Sequence, residues 1–386
     1  MQKIIVLGAG LVGKAIAVDL SNTYDVSSSD VQLCSLRELS EQHSITAEPC
    51  NFRDKESLKK LIEPFDLVIG AVPGHLGFEV LKTVIETGKN IVDISFFPED
   101  AFLLDELARK NNVTAVVDCG VAPGMCNILF GHHHKQMKIS KYECLVGGLP
   151  VIREFPYEYK AVFSPSDVIE IYTRTVHCIK NGKLIEKEAL SDIEKIHFDE
   201  VGELESFNTD GLRSLTQTMK DVPNMIEKTL RYPGHAHLMK VFRETGLFSK
   251  IPMDINGAKV IPLEFISKLL FSKWRMEPEE EDFTVMRVTI EGPEGKYVYN
   301  LFDRFDKNTK TTSMARTTGY TCTAVANLIL QGTFSRKGIC FPEFIGEDNN
   351  CFAFISKYLT ERNVLYKTDM CFTKRNLSKK ELSHNL

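Results

Sequence analysis

The chain has 386 residues, 43% of them apolar and 26% charged, with a net charge of −5. That length exceeds one ordinary core and predicts two domains, the negative charge argues against a nucleic-acid partner, and without an apolar run of about 18 residues nothing is expected to span a membrane. Ten cysteines without a C-x-x-C pair, and a strand beginning at Ile4 where a signal peptide would stand, predict a reduced, cytoplasmic protein.

The chain opens with "KIIVLGAGLVGKAIAVDL", an apolar strand, a glycine turn and a helix. Gly8, Gly10 and Gly13 stand at G-x-G-x-x-G spacing. In that pattern the first glycine permits the turn, the second lets a pyrophosphate approach the backbone, and the third lets helix and strand pack. Leu11 and Val12 then open a helix whose free N–H groups and positive dipole end suit phosphates. Asp30 closes "YDVSSSD" about 20 residues further on, where a carboxylate accepts from both ribose hydroxyls and repels a 2′-phosphate, so NAD is expected over NADP.

Alternation continues through the strand "FDLVIGAV", a helix from about Gly77 to Thr87, the strand "NIVDIS", the helix "EDAFLLDELARKN" and the strand "VTAVVD". Such alternation predicts a parallel sheet with helices on both faces and a ligand beyond the carboxyl ends of its strands. Three ends meet there: Ala71-Val72-Pro73, Asp93-Ile94-Ser95 and Asp118-Cys119-Gly120. The small residues of "VVDCGVAPGMCN" are expected to leave room for a nicotinamide ring.

After Gly124 the alternation stops. "YECLVGGLP" reads as a strand followed by a glycine turn, and "VIEIYTRTVHCI", Asn181-Gly182 and "KLIEKEAL" as a hairpin. "DFTVMRVTIEG" with "KYVYNLFDRFD" reads as a second hairpin, and helices are expected near 210–220, 235–245 and 256–271. From Thr312 a long helix is expected to return to the first domain. The expected architecture is α/β: a Rossmann-type doubly wound parallel sheet over 1–122 plus 312–386, and an α+β domain on an antiparallel sheet over 123–311 for substrate binding and dimerisation. The basic tail "TKRNLSKKELSHNL" is expected to fray.

Several segments together resemble the saccharopine dehydrogenase family, in its reductase branch and nearest its lysine 6-dehydrogenases: "GAGLVG", "VDCGVAPGMCN", "VGGLP" (146–150), "PYEYKAVFSP" (156–165), "NTDGLRSL" (208–215), "KTLRYPGH" (228–235) and "TSMARTTGY" (312–320). The resemblance implies an NAD(P)-dependent oxidoreductase acting on the C–N bond of a basic amino acid, and a homodimer. It places the substrate against Gly147, Gly148, Ser164, Arg213, Thr229 and Arg231. The chain departs from saccharopine-forming members at Gly120-Val121-Ala122-Pro123-Gly124, at Phe96 and at Val146, which leaves simple lysine oxidation as the nearer analogy.

Amine oxidation needs the unprotonated amine, a cation clamp for the α-carboxylate and a dry nicotinamide pocket. Arg213 and Arg231 suit the clamp, because a guanidinium pairs with a carboxylate through two parallel bonds. Asp118, Lys160 and Tyr159 lead the acid–base candidates, with Asp93, Asp210 and His235 behind them. Ala71, Val72, Pro73, Asp93 and Cys119 complete the expected cofactor lining, Cys119 reading as a small buried residue rather than a nucleophile. The histidines of "GHHHK" point about 100° apart on a helix and do not share an ion, so a solvated or capping face, and no metal, is expected. Two alternatives are a carboxynorspermidine-type reductive condensation of a polyamine with an aldehyde, and a non-catalytic NAD-binding protein.

Overall fold

The computed structural model describes residues 1–277 and 279–372, and the basic tail 373–386 lies outside them. Two compact units are formed, one from Met1–His132 and Met314–Val364, the other from His133–Ser313 and, among the described residues, 365–372. Among the described residues no helix is long and apolar enough to cross a membrane.

The first unit is built on a seven-stranded parallel sheet in the order Gly338–Cys340, Thr114–Val116, Asn90–Asp93, Leu67–Gly70, Lys3–Leu7, Asp25–Ser29, Thr46–Ala47. Ile4, Ile5, Val6, Leu67, Val68, Ile69, Ile91 and Val92 are fully buried, as strands covered on both faces require. The order reverses between Lys3–Leu7 and Leu67–Gly70, which opens the crevice where such sheets take ligands. The helix Ser313–Leu330 belongs to this unit, apart from its first residue. It lies close to the first helix: Gly319 faces Ile16, and Thr323 donates to the Asp19 carboxylate, which Tyr358 and Arg362 also bind at 2.7 Å. A second backbone-close crossing joins Met125–Gln136 to Pro342–Gly346: a Cβ on Gly131 would lie 2.0 Å from the Glu343 carbonyl oxygen, and one on Gly346 would lie 2.0 Å from that of Ile128.

The second unit carries a nine-stranded sheet with the path Glu194–Phe198, Gly202–Asn208, Met225–Arg231, Lys141–Pro150, Asp282–Gly292, Gly295–Arg304, Tyr366–Phe372. It is mixed rather than antiparallel, because Met225–Arg231 runs parallel to Lys141–Pro150. A long connection containing a helix separates those two strands, which is what parallel pairing needs. Tyr366–Phe372 adds an edge strand here, so this stretch belongs to the second sheet and not, as its position after Thr312 suggested, to the first unit. Helices Pro165–Thr173, His235–Glu244 and Pro262–Trp274 bury Val168, Tyr172, Met239, Leu270 and Trp274 against Leu145, Leu230 and Val285.

Three local expectations are corrected. "VIEIYT" is the body of the helix Pro165–Thr173, entered through Pro at its first position, and only Val176–Lys180 pairs across Asn181-Gly182 with Lys183–Lys187. Gly147 and Gly148 do not turn the chain but lie within Lys141–Pro150; a Cβ on Gly147 would approach the Leu230 carbonyl oxygen to 2.6 Å. The start of the expected 256–271 helix is instead a hairpin, Met253–Ile255 with Ala258–Val260, and the helix begins at Pro262.

Candidate active site

The nucleotide end of the first unit is shaped by backbone clearances. Gly8 has φ +113°, and a Cβ there would lie 2.3 Å from the Ala71 carbonyl oxygen; a Cβ on Gly13 would lie 1.9 Å from that of Gly8. Gly10 differs: its φ of −74° is ordinary and its Cβ position meets nothing within 4 Å. The loop therefore leaves open space at its central glycine and nowhere else. The helix Leu11–Ser21 begins there with no side-chain cap and no acid in its first turn, so its dipole end is not neutralised. Asp30 closes this cradle, accepting from the Ala9 N–H at 2.7 Å and the Gln32 N–H at 2.9 Å. Each carboxylate oxygen keeps further acceptor capacity. These residues fit the adenosine diphosphate half of a dinucleotide.

Leu11 and Pro73 are exposed, Val12 and Ala71 half-buried, and Val72 sits in the core, leaving only its backbone to face a ligand. Asp93 is fully buried, accepts from the Ser95 N–H at 2.7 Å, and occupies the space a side chain on Gly70 would take. Asp118 is buried with φ +57°, a strained setting that recurs at functional positions. Cys119 is buried, and desolvation, reinforced by Asp118 and Asp93, raises its thiol far above the ordinary range, so it is no nucleophile. The small residues after it have a local cause. Gly120 N–H donates to the Pro123 carbonyl at 3.0 Å, Met125 N–H to that of Gly120 at 2.8 Å, and a Cβ on Gly124 would lie 1.9 Å from the Gly120 oxygen. These contacts give the glycines a structural reason, because the loop closes on itself.

In the second unit Arg231 ends its strand only 2% exposed. Its Nη1 donates to the Leu230 carbonyl at 2.9 Å, its Nε to the Tyr172 hydroxyl at 3.4 Å, and its guanidinium lies 4.5 Å over the Tyr159 ring. Among the described residues no carboxylate pairs with it. The next bonds fix a direction. His235 Nδ1 faces the Tyr157 carbonyl at 3.0 Å, which only accepts, so Nδ1 carries the proton; Nε2 then accepts from Tyr172 at 2.9 Å, and the Tyr172 oxygen is free to accept from Arg231. His235 is thus neutral, its pKa lowered to about 3 by burial and by the Arg231 charge. An unfolded histidine titrates near 6.5, so this group favours the folded state above that pH and destabilises it progressively between about pH 6.5 and 3. Melting temperature should fall with acidification across that interval more steeply in the native chain than in His235→Gln.

Two acid–base candidates are unsuited to that work. Tyr159 lies in the aromatic core, edge-on to Trp274 at 5.4 Å, and burial raises its phenol, so it holds its proton at neutral pH. Lys160 stands between Glu154 at 3.3 Å and Glu280 at 3.4 Å, a structural ion pair. Ser164 contacts Ser166 at 2.9 Å, and Thr229 donates to Thr209 at 3.1 Å. Gly148 pairs with Thr284. Arg213 is half-buried with φ +45°, and Asp210 accepts from His177. The "GHHHK" histidines do not form a solvated face: His132 stacks on Phe352 at 3.7 Å, His133 is buried against the Tyr299 hydroxyl at 2.7 Å, and His134 meets Asp221 at 2.9 Å. Tyr172 and His177 were not singled out from sequence. Tyr172 sits in an apolar helical stretch without a motif, and His177 becomes informative only through its partner.

Residues 4–116 match the model of the saccharopine dehydrogenase NADP binding domain, and residues 120–364 that of the saccharopine dehydrogenase C-terminal domain. The chain belongs to the saccharopine dehydrogenase family. Within that family it is 23% identical over 424 residues to the mitochondrial alpha-aminoadipic semialdehyde synthase of Mus musculus, covering 88% of this chain and 45% of the relative. It is 21% identical over 286 residues to the saccharopine dehydrogenase [NADP(+), L-glutamate-forming] of Saccharomyces cerevisiae, covering 70% of this chain and 64% of that one. The chain thus spans about half the length of the first relatives it matches. Its fold is that of the apo saccharopine dehydrogenase (L-Glu forming) from Saccharomyces cerevisiae, with a TM-score of 0.77 at 18% identity over 96% of this chain and all of the other. The two family models together account for most of the described chain, residues 4–116 and 120–364.

Proposed function

We propose that this saccharopine dehydrogenase-family chain is an NAD-dependent oxidoreductase acting on the C–N bond of a basic amino acid, lysine itself or a secondary amine built on it. The observation that carries the substrate class is Arg231. A buried guanidinium without a carboxylate costs several kcal/mol of desolvation unless something anionic joins it, and an amino-acid carboxylate supplies that charge with matching geometry. The bond chain Arg231–Tyr172–His235–Tyr157 holds Nε in place, which leaves Nη2 for a ligand. Arg213 is the second candidate cation. A polyamine would bring further positive charge to Arg231, so the polyamine-condensing alternative is disfavoured.

A bound nicotinamide would supply the acceptor for the hydride that leaves the carbon bearing nitrogen. The chain's own contribution begins at the loop, where Gly10 leaves room for pyrophosphate and the Leu11–Ser21 dipole faces it. Asp30 supports NAD over NADP: its carboxylate, held by the Ala9 and Gln32 N–H groups, would stand beside a 2′-phosphate with like charge. The descriptions of the family model and of the yeast relative name NADP, so the choice separates two concrete outcomes. With L-lysine and with L-saccharopine as substrates, kcat/KM for NAD should exceed that for NADP by at least about a hundredfold, and Asp30→Ser should narrow the gap about tenfold or more. Preference for NADP in the native chain would overturn the NAD reading. Absence of turnover with both amines, in either direction, would count against the amino-acid reading.

A further inference from the structure

Arg213 occupies a conformation that a long side chain rarely adopts, φ +45°, within a turn anchored on nearly every side. Before it, Asn208 Nδ2 donates to Ser191 and Asp192 at 2.9 Å, and Thr209 is bonded by Thr229 at 3.1 Å. Gly211 lies so close to Glu227 that a Cβ would fall 1.7 Å from its carboxylate. After it, Leu212 and Leu215 are buried, and the Arg213 carbonyl accepts from the Thr216 hydroxyl at 2.9 Å. Strain persists only where the surroundings over-determine it.

One anchor reaches outside this cluster. Asp210 Oδ1 accepts from the His177 backbone N–H at 3.1 Å and from His177 Nδ1 at 2.9 Å. A carboxylate cannot donate, so Nδ1 carries the proton, and the ring's Nε2 lies 3.9 Å from Glu186. His177 sits on the hairpin Val176–Lys180 with Lys183–Lys187, which meets the large sheet at the pair Met225↔Ile179 and whose turn donates from the Gly182 N–H to the Pro223 carbonyl at 2.8 Å and from the Asn181 N–H to Asn224 Oδ1 at 3.1 Å. Those ties lie at the turn end of the hairpin; at its other end Asp210 adds one, three residues before the strained arginine.

We propose that His177 is a positioning residue: through Asp210 it braces the 208–215 turn so that Arg213 presents its guanidinium to a carboxylate-bearing substrate. The role given to Arg213 rests on the proposed function; the brace does not. Two variants separate them. His177→Leu removes the side-chain donor, whereas His177→Asn keeps an N–H near the position of Nδ1. Hydrogen exchange of the peptide covering 208–219 should accelerate about tenfold in His177→Leu and return to within about twofold of native in His177→Asn, with melting temperatures close together. KM for L-saccharopine or L-lysine should rise about tenfold in His177→Leu and be rescued in His177→Asn, while kcat and KM for NAD stay within about twofold. Unchanged exchange in His177→Leu overturns the brace, as does a loss that His177→Asn shares. Faster exchange with an unchanged KM overturns the link to Arg213. If the native chain turns over neither amine, the proposed function fails and the exchange measurement still decides the brace.

Discussion

Arg231→Met is expected to weaken binding of L-lysine or L-saccharopine about a hundredfold while leaving the melting temperature unchanged or raised. Two opposite readings of this residue differ in sign, which makes the substitution decisive. As a purely structural group, Arg231 would contribute through its bonds to Leu230 and Tyr172 and its contact with the Tyr159 ring, and its removal would destabilise the fold. As a ligand cation waiting for its anion, it is a net cost to the free protein. Replacing an uncompensated buried charge by an apolar chain of similar length is then neutral or favourable by roughly 1–4 kcal/mol. Removing one partner of a buried charged contact costs the ligand roughly 2–5 kcal/mol. Isothermal titration with each amine in the presence of NAD, beside thermal melts of the free protein, reads both quantities. A melting temperature lowered by several degrees with unchanged amine affinity would remove Arg231 from the site.

The second large effect is expected at Gly10. Gly10→Val should abolish measurable NAD binding, a loss of at least about a hundredfold, with a stability change of no more than about 1 kcal/mol from the poorer helix cap. Neither the backbone conformation there nor any protein atom resists a side chain, so the new methyl groups would fill only the space left for a ligand. Gly13→Ala is the contrasting control, since its Cβ would lie 1.9 Å from the Gly8 carbonyl oxygen and folding itself should suffer. Fluorescence titration with NADH and a thermal melt on each variant separate the two. Retained NAD affinity in Gly10→Val would mean that the loop does not hold a pyrophosphate.

The nucleotide half was legible because its signals are local. Strand, glycine spacing, helix and the acid after Asp25–Ser29 follow one another in sequence, and each glycine answers to a clearance that can be named. The other half depends on residues far apart in the chain. Tyr172 and His235 are meaningful together only because two helices, Pro165–Thr173 and His235–Glu244, bring them to 2.9 Å, and the partners of Lys160 sit at 154 and 280. Other local signals stand in the sequence as well. Ser164-Pro165 marks a helix start that β-branched "VIEIYT" obscured, and Asn256-Gly257 carries the same turn chemistry as Asn181-Gly182, with both of its residues at positive φ. Gly147-Gly148 shows the reverse error: paired glycines suggested a turn where one of them makes room for a neighbouring strand.

The interleaved order of the two units has a consequence for synthesis. The first unit leaves the chain at His132 and resumes at Met314, and its outermost strand, Gly338–Cys340, pairs with Thr114–Val116. As the polypeptide emerges from the ribosome, more than half of its length must appear before that pairing is possible. During this interval Thr114–Val116 presents an open edge of buried-type residues, the surface on which nascent chains associate wrongly. The second unit waits longer still, for Tyr366–Phe372. Chaperone dependence of its yield should therefore be governed by the segments Met314–Val364 and Tyr366–Phe372, and a fragment of the first unit cut at residue 132 would lack its closing strand.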